Sequence, residues 1–330
     1  MNNIKNLDSI QNFLSINSMA KVGIIFPGQG SQFVGMGKSL YDNDIIVREH
    51  FKAANRVLGY DLASICFNGP LERLTESRFC QPALFIHAYV SYLMVMMEIC
   101  GIENPPDVIF GLSVGEIIAL TIAGVLSFDA GLRLVERRGI YMQEACQETK
   151  GKMVALVGNS RKEVEILCKI TDVYISNFNA PDQMVISGGA KEIDKAIDIA
   201  KKMKFSKVIE LNVAGAFHSP LMESAKIRFK KYIKDIEFNE PKINIISNVT
   251  GKFMKDPDEI KSLLCEQIVS EVRWVDCMKT AIDHGVSKFY QCGPGKTLVK
   301  LAKRIDKNVM VKAVGEVSDV PGLPYVLDTP

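Results

Sequence analysis

Short apolar runs and longer amphipathic stretches alternate along this chain. Val22-Gly23-Ile24-Ile25-Phe26 is an apolar run that stops at Pro27-Gly28, the pattern of a buried strand ended by a turn. An amphipathic helix is predicted near 44–58 and an apolar helix over 82–99, followed by the strand Val108-Ile109-Phe110 and a helix opening at Glu116-Ile117-Ile118. Leu132, Val135, Arg138 and Met142 lie three or four residues apart and predict a helix over 127–148. Buried strands separated by helices imply a parallel sheet covered on both faces.

From 150 to 213 the rhythm changes. Strands are predicted at Met153–Val157, Val173–Asn177, Gln183–Ser187 and Lys207–Val213, with helices over 161–170 and 191–203. That order, β-α-β-β-α-β, is the ferredoxin-like split motif. The earlier pattern then resumes with a strand over 243–247, helices near 257–269 and over 275–284, the strand Lys288–Gln291 and a helix over 297–304. The fold class expected is α/β: a large α/β-hydrolase-like domain with a parallel sheet, formed by 19–149 and 214–330, interrupted by a small ferredoxin-like domain over 150–213. A functional site belongs at the junction of the two. Residues 1–18, rich in Asn, Ser and Ile, have no long apolar core and do not read as a secretory signal; a flexible leader and the end of an organellar transit peptide both fit them.

Composition narrows the function classes. With 47% apolar and 24% charged residues the chain is an ordinary globular protein, and 40 basic against 38 acidic side chains give no argument for a nucleic-acid partner. The apolar run Ala83–Met97 is too short to span a bilayer comfortably and is interrupted by His87 and Ser91, so no membrane span is expected. The eight cysteines form no Cys-x-x-Cys pair, which argues against a metal or redox site and for a reducing compartment.

The strongest chemical signal is Gly111-Leu112-Ser113-Val114-Gly115, set between a predicted strand and a predicted helix. Strand, Gly-x-Ser-x-Gly, helix is the nucleophile elbow, in which small neighbours let a strained turn expose the serine hydroxyl beside helix N-terminal amides. A serine nucleophile needs a base, and the chain has four histidines. His87 lies inside an apolar helix and reads as a packed, hydrogen-bonded core residue; His50 and His284 sit among charged residues and read as surface side chains. His218 follows the last small-domain strand and precedes Ser219-Pro220, at the domain junction, and is the candidate base.

Two glycine-rich segments offer cofactor readings that fail. Gly28-Gln29-Gly30 follows a strand, but a dinucleotide fingerprint needs glycine where this chain has Phe33; the segment suits a backbone amide facing an oxyanion. Gly293-Pro294-Gly295-Lys296 ends like a phosphate loop, yet its opening glycine would have to replace Tyr290. Arg138, among apolar residues on its helix, is costly to bury without an anion; an ion pair with Glu116 or Glu136 is the structural alternative.

Together these segments resemble the malonyl-CoA:acyl carrier protein transacylases of type II fatty-acid synthesis and the acyltransferase domains of megasynthases. The resemblance rests on Phe26 to Gln32, Gln81-Pro82-Ala83, Gly111 to Glu116, Arg138-Gly139 with Met142, Phe217 to Met222, Val272-Arg273-Trp274 and Gly293 to Lys296, in the family order. It implies malonyl transfer from malonyl-CoA to the phosphopantetheine thiol of acyl carrier protein through malonyl-Ser113. His218 would be the base, and the backbone N–H groups of Gln29 and Val114 the oxyanion hole. Arg138 would clamp the malonyl carboxylate, Gln81 would add a polar group, and a backbone carbonyl near Gln267 would orient the histidine. No cofactor or metal is implied, and a monomer in the cytoplasm or a plastid-type organelle suits the family. The carrier protein of such systems is acidic, and Lys296, Lys300, Lys303 and Arg304 fall on helical spacing as a candidate docking patch.

One position departs from the family, which usually has histidine before the nucleophile where this chain has Leu112. The rival readings are a serine hydrolase or thioesterase, which calls for an Asp or Glu partner to the histidine, and an inactive scaffold with the same fold.

Overall fold

The computed structural model describes residues 20–97 and 105–320; the leader expected over 1–18 lies outside the described residues. Among the described residues ten strands form two sheets: β1 (Lys21–Phe26), β2 (Val108–Gly111), β3 (Gly151–Val157), β4 (Tyr174–Ala180), β5 (Gln183–Gly189), β6 (Lys207–Glu210), β7 (Asn244–Ile246), β8 (Phe253–Met254), β9 (Val286–Cys292) and β10 (Met310–Val314). The larger sheet runs β10-β9-β1-β2-β7-β8 and is parallel except for its β7–β8 edge. The chain moves outward from β1 through β2 to β7 and returns to β9 on the other flank, so the order reverses at β1. In open α/β sheets the crevice beyond the strand C-termini at such a reversal is the usual ligand site.

Register lines those C-termini up. Phe26 pairs with Gly111, Ile25 with Gln291 and Ile109 with Ile245, so the turns after β1 and β2 leave the sheet side by side. Helices Ile45–Leu58, Ser77–Val95, Val114–Ile122 and Phe128–Glu148 bury their apolar faces in one cluster with Ile24, Phe26 and Ile109. The opposite face packs Ile25, Phe110 and Phe289 against helices Trp274–Asp283 and Thr297–Ile305. Local chemistry sets the helix starts: the Asp44 carboxylate accepts from the Ile46 and Val47 amides, and the Ser127 hydroxyl accepts from Ala130.

The second sheet is antiparallel, ordered β4-β5-β3-β6, with helices Arg161–Thr171 and Ala190–Lys202 packed on it over a separate core of Val154, Leu156, Leu167, Ile186 and Ile193. A β-bridge between Asn177 and Val272 links it to the rest, with Phe178 N–H donating to Val272 O and Val272 N–H donating to Ser176 O at 2.9 Å each. Arg161 adds a two-pronged ion pair to Glu271.

The apolar helix differs from expectation. It begins at Ser77, not at Pro82, because a proline inside a helix forfeits one hydrogen bond while Phe79, Cys80 and Ala83 around it are buried. Strand β6 stops at Glu210 rather than Val213, since the chain then leaves the sheet edge to carry residues 215–219 toward the elbow. The short edge strands β8 and β10 and the helices Lys38–Asn43, Leu62–Asn68 and Leu71–Thr75 carry too few residues for a period to show.

Candidate active site

Ser113 sits where β2 meets the helix Val114–Ile122, at φ 58° and ψ −112°, a backbone state costly for any residue with a Cβ. The flanking glycines are required by contact. A Cβ at Gly111 would lie 2.1 Å from the Gly115 carbonyl carbon, and one at Gly115 would lie 2.4 Å from the Phe26 carbonyl oxygen. A Cβ at Gly28 would likewise lie 2.8 Å from the Leu112 carbonyl oxygen. The turn after β1 therefore lies directly against the elbow.

His218 also has a positive φ, 58°, and its Nε2 lies 2.8 Å from Ser113 Oγ. Its Nδ1 lies 2.8 Å from the Gln267 carbonyl oxygen. A carbonyl only accepts, so Nδ1 carries the proton and Nε2 is left to accept from the serine hydroxyl. Gln267 ends the helix Pro257–Gln267, where the last carbonyls have no intrahelical donor. Burial, then the Arg138 charge, push the imidazole down to about 4 against the pull of that carbonyl, so it is neutral at ordinary pH.

Arg138 is 1% exposed and its hydrogen-bonded partners are all neutral. Nη1 donates to Gln81 Oε1 at 2.9 Å, and Nη2 donates to Gln267 Oε1 at 2.9 Å and to Ser113 Oγ at 3.0 Å. The ion pair with Glu116 or Glu136 considered above is not formed among the described residues: Gln267 stands between Arg138 and Glu116, and Glu136 is half-buried with Arg137 and Arg133 as its charged neighbours. Gln81 in turn donates to Gln29 Oε1 at 3.0 Å, and Gln29 Nε2 donates to Ser77 Oγ at 3.2 Å. Gln29, Gln81, Arg138 and Ser113 thus form one hydrogen-bonded chain. Val114 is the first residue of its helix, so its amide has no intrahelical acceptor.

Asn248 is a site residue that the sequence reading did not single out. Its Oδ1 accepts from Ser113 N–H at 2.7 Å and its Nδ2 donates to Gly111 O at 2.8 Å, clamping the strained turn from both sides. It lies in the polar turn Ser247–Gly251 beyond the C-terminus of β7, a signal available in the sequence because polar turns at that edge of a parallel sheet face the crevice.

The other histidines lie elsewhere. His87 is fully buried against Gly37 and Gly315, where burial pushes it down to about 4 against the pull of the Gly315 backbone, so it is a packed core residue as expected. His50 and His284 are half-buried, the first against Tyr89 and Phe128, the second against Phe253. All four residues of the basic patch are exposed; Lys303 donates to the Lys307 and Val309 carbonyls and Arg304 pairs with Asp182 at 2.7 Å. Leu112 is half-buried in the second apolar cluster beneath Gly28.

A cavity of about 510 Å³ opens beside Gln29, Ser77, Cys146 and Phe217, next to His218. Among the described residues no group of His, Cys, Asp and Glu side chains is placed to hold a metal ion, and no helix is long and apolar enough to cross a membrane. No disulfide joins the described cysteines, which are all buried.

The acyl transferase domain family matches residues 24–312. The chain is similar to the malonyl CoA-acyl carrier protein transacylase of Bacillus subtilis (strain 168), 36% identical over 306 residues, 90% of this chain and 94% of the relative. The solved structure of the malonyl CoA-acyl carrier protein transacylase from Coxiella burnetii aligns with a TM-score of 0.86 at 35% identity, covering 89% of this chain and 93% of that one. A malonyl-transacylase in complex with its type II PKS acyl-carrier protein aligns at 0.87 with 32% identity, covering 91% and 97%. An elbow serine, its histidine and a buried arginine are therefore found in a chain that belongs to the acyl transferase domain family, on its malonyl CoA-acyl carrier protein transacylase branch.

Proposed function

We propose that this protein moves the malonyl group of malonyl-CoA onto the phosphopantetheine thiol of acyl carrier protein, feeding type II fatty-acid synthesis, with Ser113 and His218 as a catalytic dyad. Ser113 Oγ attacks the thioester carbon while His218 Nε2 takes its proton. The backbone N–H groups of Gln29 and Val114 receive the oxyanion. The C–S bond then breaks, and His218 returns its proton to the departing CoA thiolate. In the second half His218 takes the proton of the carrier thiol, the thiolate attacks the malonyl-serine ester, and the proton goes back to Ser113 Oγ.

The observation that carries the malonyl assignment is the buried Arg138 guanidinium donating to Ser113 Oγ at 3.0 Å. In malonyl-serine the free carboxylate is three bonds from Oγ, within reach of that same guanidinium, and a planar fork matches two carboxylate oxygens. Gln81 holds the fork from its far side. The relatives' names support both the donor and the acceptor, and the complex with an acyl-carrier protein supports the partner. A hydrolase of the triad type is disfavoured because His218 Nδ1 is held by a backbone carbonyl where a carboxylate would be expected. In this reading 150–213 is an inserted ferredoxin-like unit and 19–149 with 214–330 the catalytic one.

The test is discharge. Protein loaded with malonyl-CoA and freed of excess donor is mixed with phosphopantetheinylated carrier protein. Malonyl appearing on the carrier supports the reading; malonate released to water with no malonyl carrier contradicts it.

A further inference from the structure

Glu116 is fully buried one turn from the nucleophile, and neither half-reaction described above uses it. Its Oε2 accepts from the Gln267 side-chain Nε2 and from the Asn248 backbone N–H at 3.2 Å, while Oε1 has no hydrogen-bond partner among the described residues. Keeping a carboxylate buried with no cation in contact is costly, and packing alone does not call for it. The helix Val114–Ile122 offsets part of that cost, because Glu116 lies in its first turn.

The side-chain amide of Gln267 is what this carboxylate controls. An amide has a donor end and an acceptor end. Here Nε2 donates to Glu116 and, at 3.1 Å, to the Ser113 carbonyl, which turns Oε1 toward Arg138 Nη2 at 2.9 Å. Rotating the amide by half a turn would set its N–H groups against the guanidinium and its oxygen against the carboxylate. We propose that Glu116 is a positioning residue for acyl selectivity: its carboxylate fixes the Gln267 amide, the amide fixes the plane of the Arg138 fork, and the fork is thereby aimed at the acyl group on Ser113.

The inference rests on the malonyl reading and deepens it. It assigns Glu116 an effect confined to donors that carry a free carboxylate, since only these use Arg138. Burial pushes the Glu116 carboxyl up, and the hydrogen bonds from Gln267 and Asn248, with the Arg138 charge, oppose that push.

Two variants separate reach from charge. Glu116→Gln keeps the length and an oxygen that accepts from both Gln267 and Asn248, whereas Glu116→Asp keeps the charge but is one methylene too short to hold the amide. The measurement is kcat/KM for acylation of Ser113 by malonyl-CoA and by acetyl-CoA, with thermal melts to show that each variant is folded. Glu116→Asp is expected to lower the malonyl-to-acetyl ratio by about tenfold, mainly through a raised KM for malonyl-CoA, while Glu116→Gln stays within about threefold of the parent protein. Equal loss on both donors in Glu116→Asp would show a merely structural role and overturn the proposal. So would an unchanged ratio in Glu116→Asp, or a ratio lost equally in Glu116→Gln. A parent protein with no preference for malonyl-CoA overturns the malonyl reading first, and this inference with it. A preference that survives in Glu116→Asp overturns the inference alone.

Discussion

Both sheets cover apolar cores, and they differ in the polar groups buried beside them. At the C-terminal edge of the six-stranded sheet the buried set is polar and mutually bonded: Gln81, Glu116, Arg138, His218, Asn248 and Gln267. The four-stranded sheet covers an apolar core of Val154, Leu156, Ile186 and Ile193, and its tie to the rest includes the backbone of Ser176 and Phe178. A buried hydrogen-bonded network costs desolvation that apolar packing avoids, so its presence at one sheet and not the other marks where geometry matters more than stability. Substitutions that break a hydrogen bond of the first sheet's network should change chemistry, and those in the second sheet's core should change stability.

The largest effect expected to sharpen that contrast is at His218. His218→Ala is expected to slow malonyl transfer by about 10⁴-fold or more with little change in the thermal melt. Arg138→Ala comes next: kcat/KM with malonyl-CoA should fall by about 10²–10³-fold, and with acetyl-CoA by far less. Equal losses on both donors would remove the carboxylate clamp from the account. On the other side of the comparison, Ile186→Ala truncates a fully buried side chain in β5 and should cost about 2–4 kcal/mol in denaturant melts. Its kcat should stay within about twofold of the parent, and a large loss of kcat in folded protein would break the division.

The effect of pH is smaller still in the ordinary range. His218 acts as a base only when neutral, and its pKa is pushed down from the usual histidine value to about 4. Single-turnover acylation should therefore stay level on going from pH 7 to 5 and fall about tenfold per unit only below about 4. A fall centred near the ordinary histidine value would show that burial and Arg138 do not act on this imidazole as described. The smallest effect is expected at Leu112, whose side chain packs beneath Gly28 and makes no contact needed by the dyad. Leu112→His should alter turnover by a few fold and leave acylation intact; complete loss of the acyl-enzyme would contradict this placement.

Much of the site was legible because its chemistry is local. The elbow is a five-residue pattern whose glycines answer to contacts inside the pattern itself and with the neighbouring strand, and His218 stands out among four histidines by its place after a strand. The parallel sheet and the β-α-β-β-α-β succession of the smaller unit follow from the alternation of apolar runs and helices, whereas the spatial order of the strands does not. What stayed hidden depends on segments far apart in the chain: Asn248 reaches Ser113 across 135 residues, and Gln267 reaches the Ser113 carbonyl across 154. A helical pattern over 257–269 does not reveal that its last side chain will separate Glu116 from Arg138. The basic spacing after Lys296 was equally silent about Asp182, which takes up Arg304 from a turn of the other sheet.

Whether Ser113 carries the malonyl group is read from intact-protein mass after brief mixing with malonyl-CoA, followed by peptide mapping. One added malonyl group is expected, located on the peptide containing Ser113 and absent from Ser113→Ala. A malonyl adduct of equal yield in Ser113→Ala, or none in the parent protein, would contradict it.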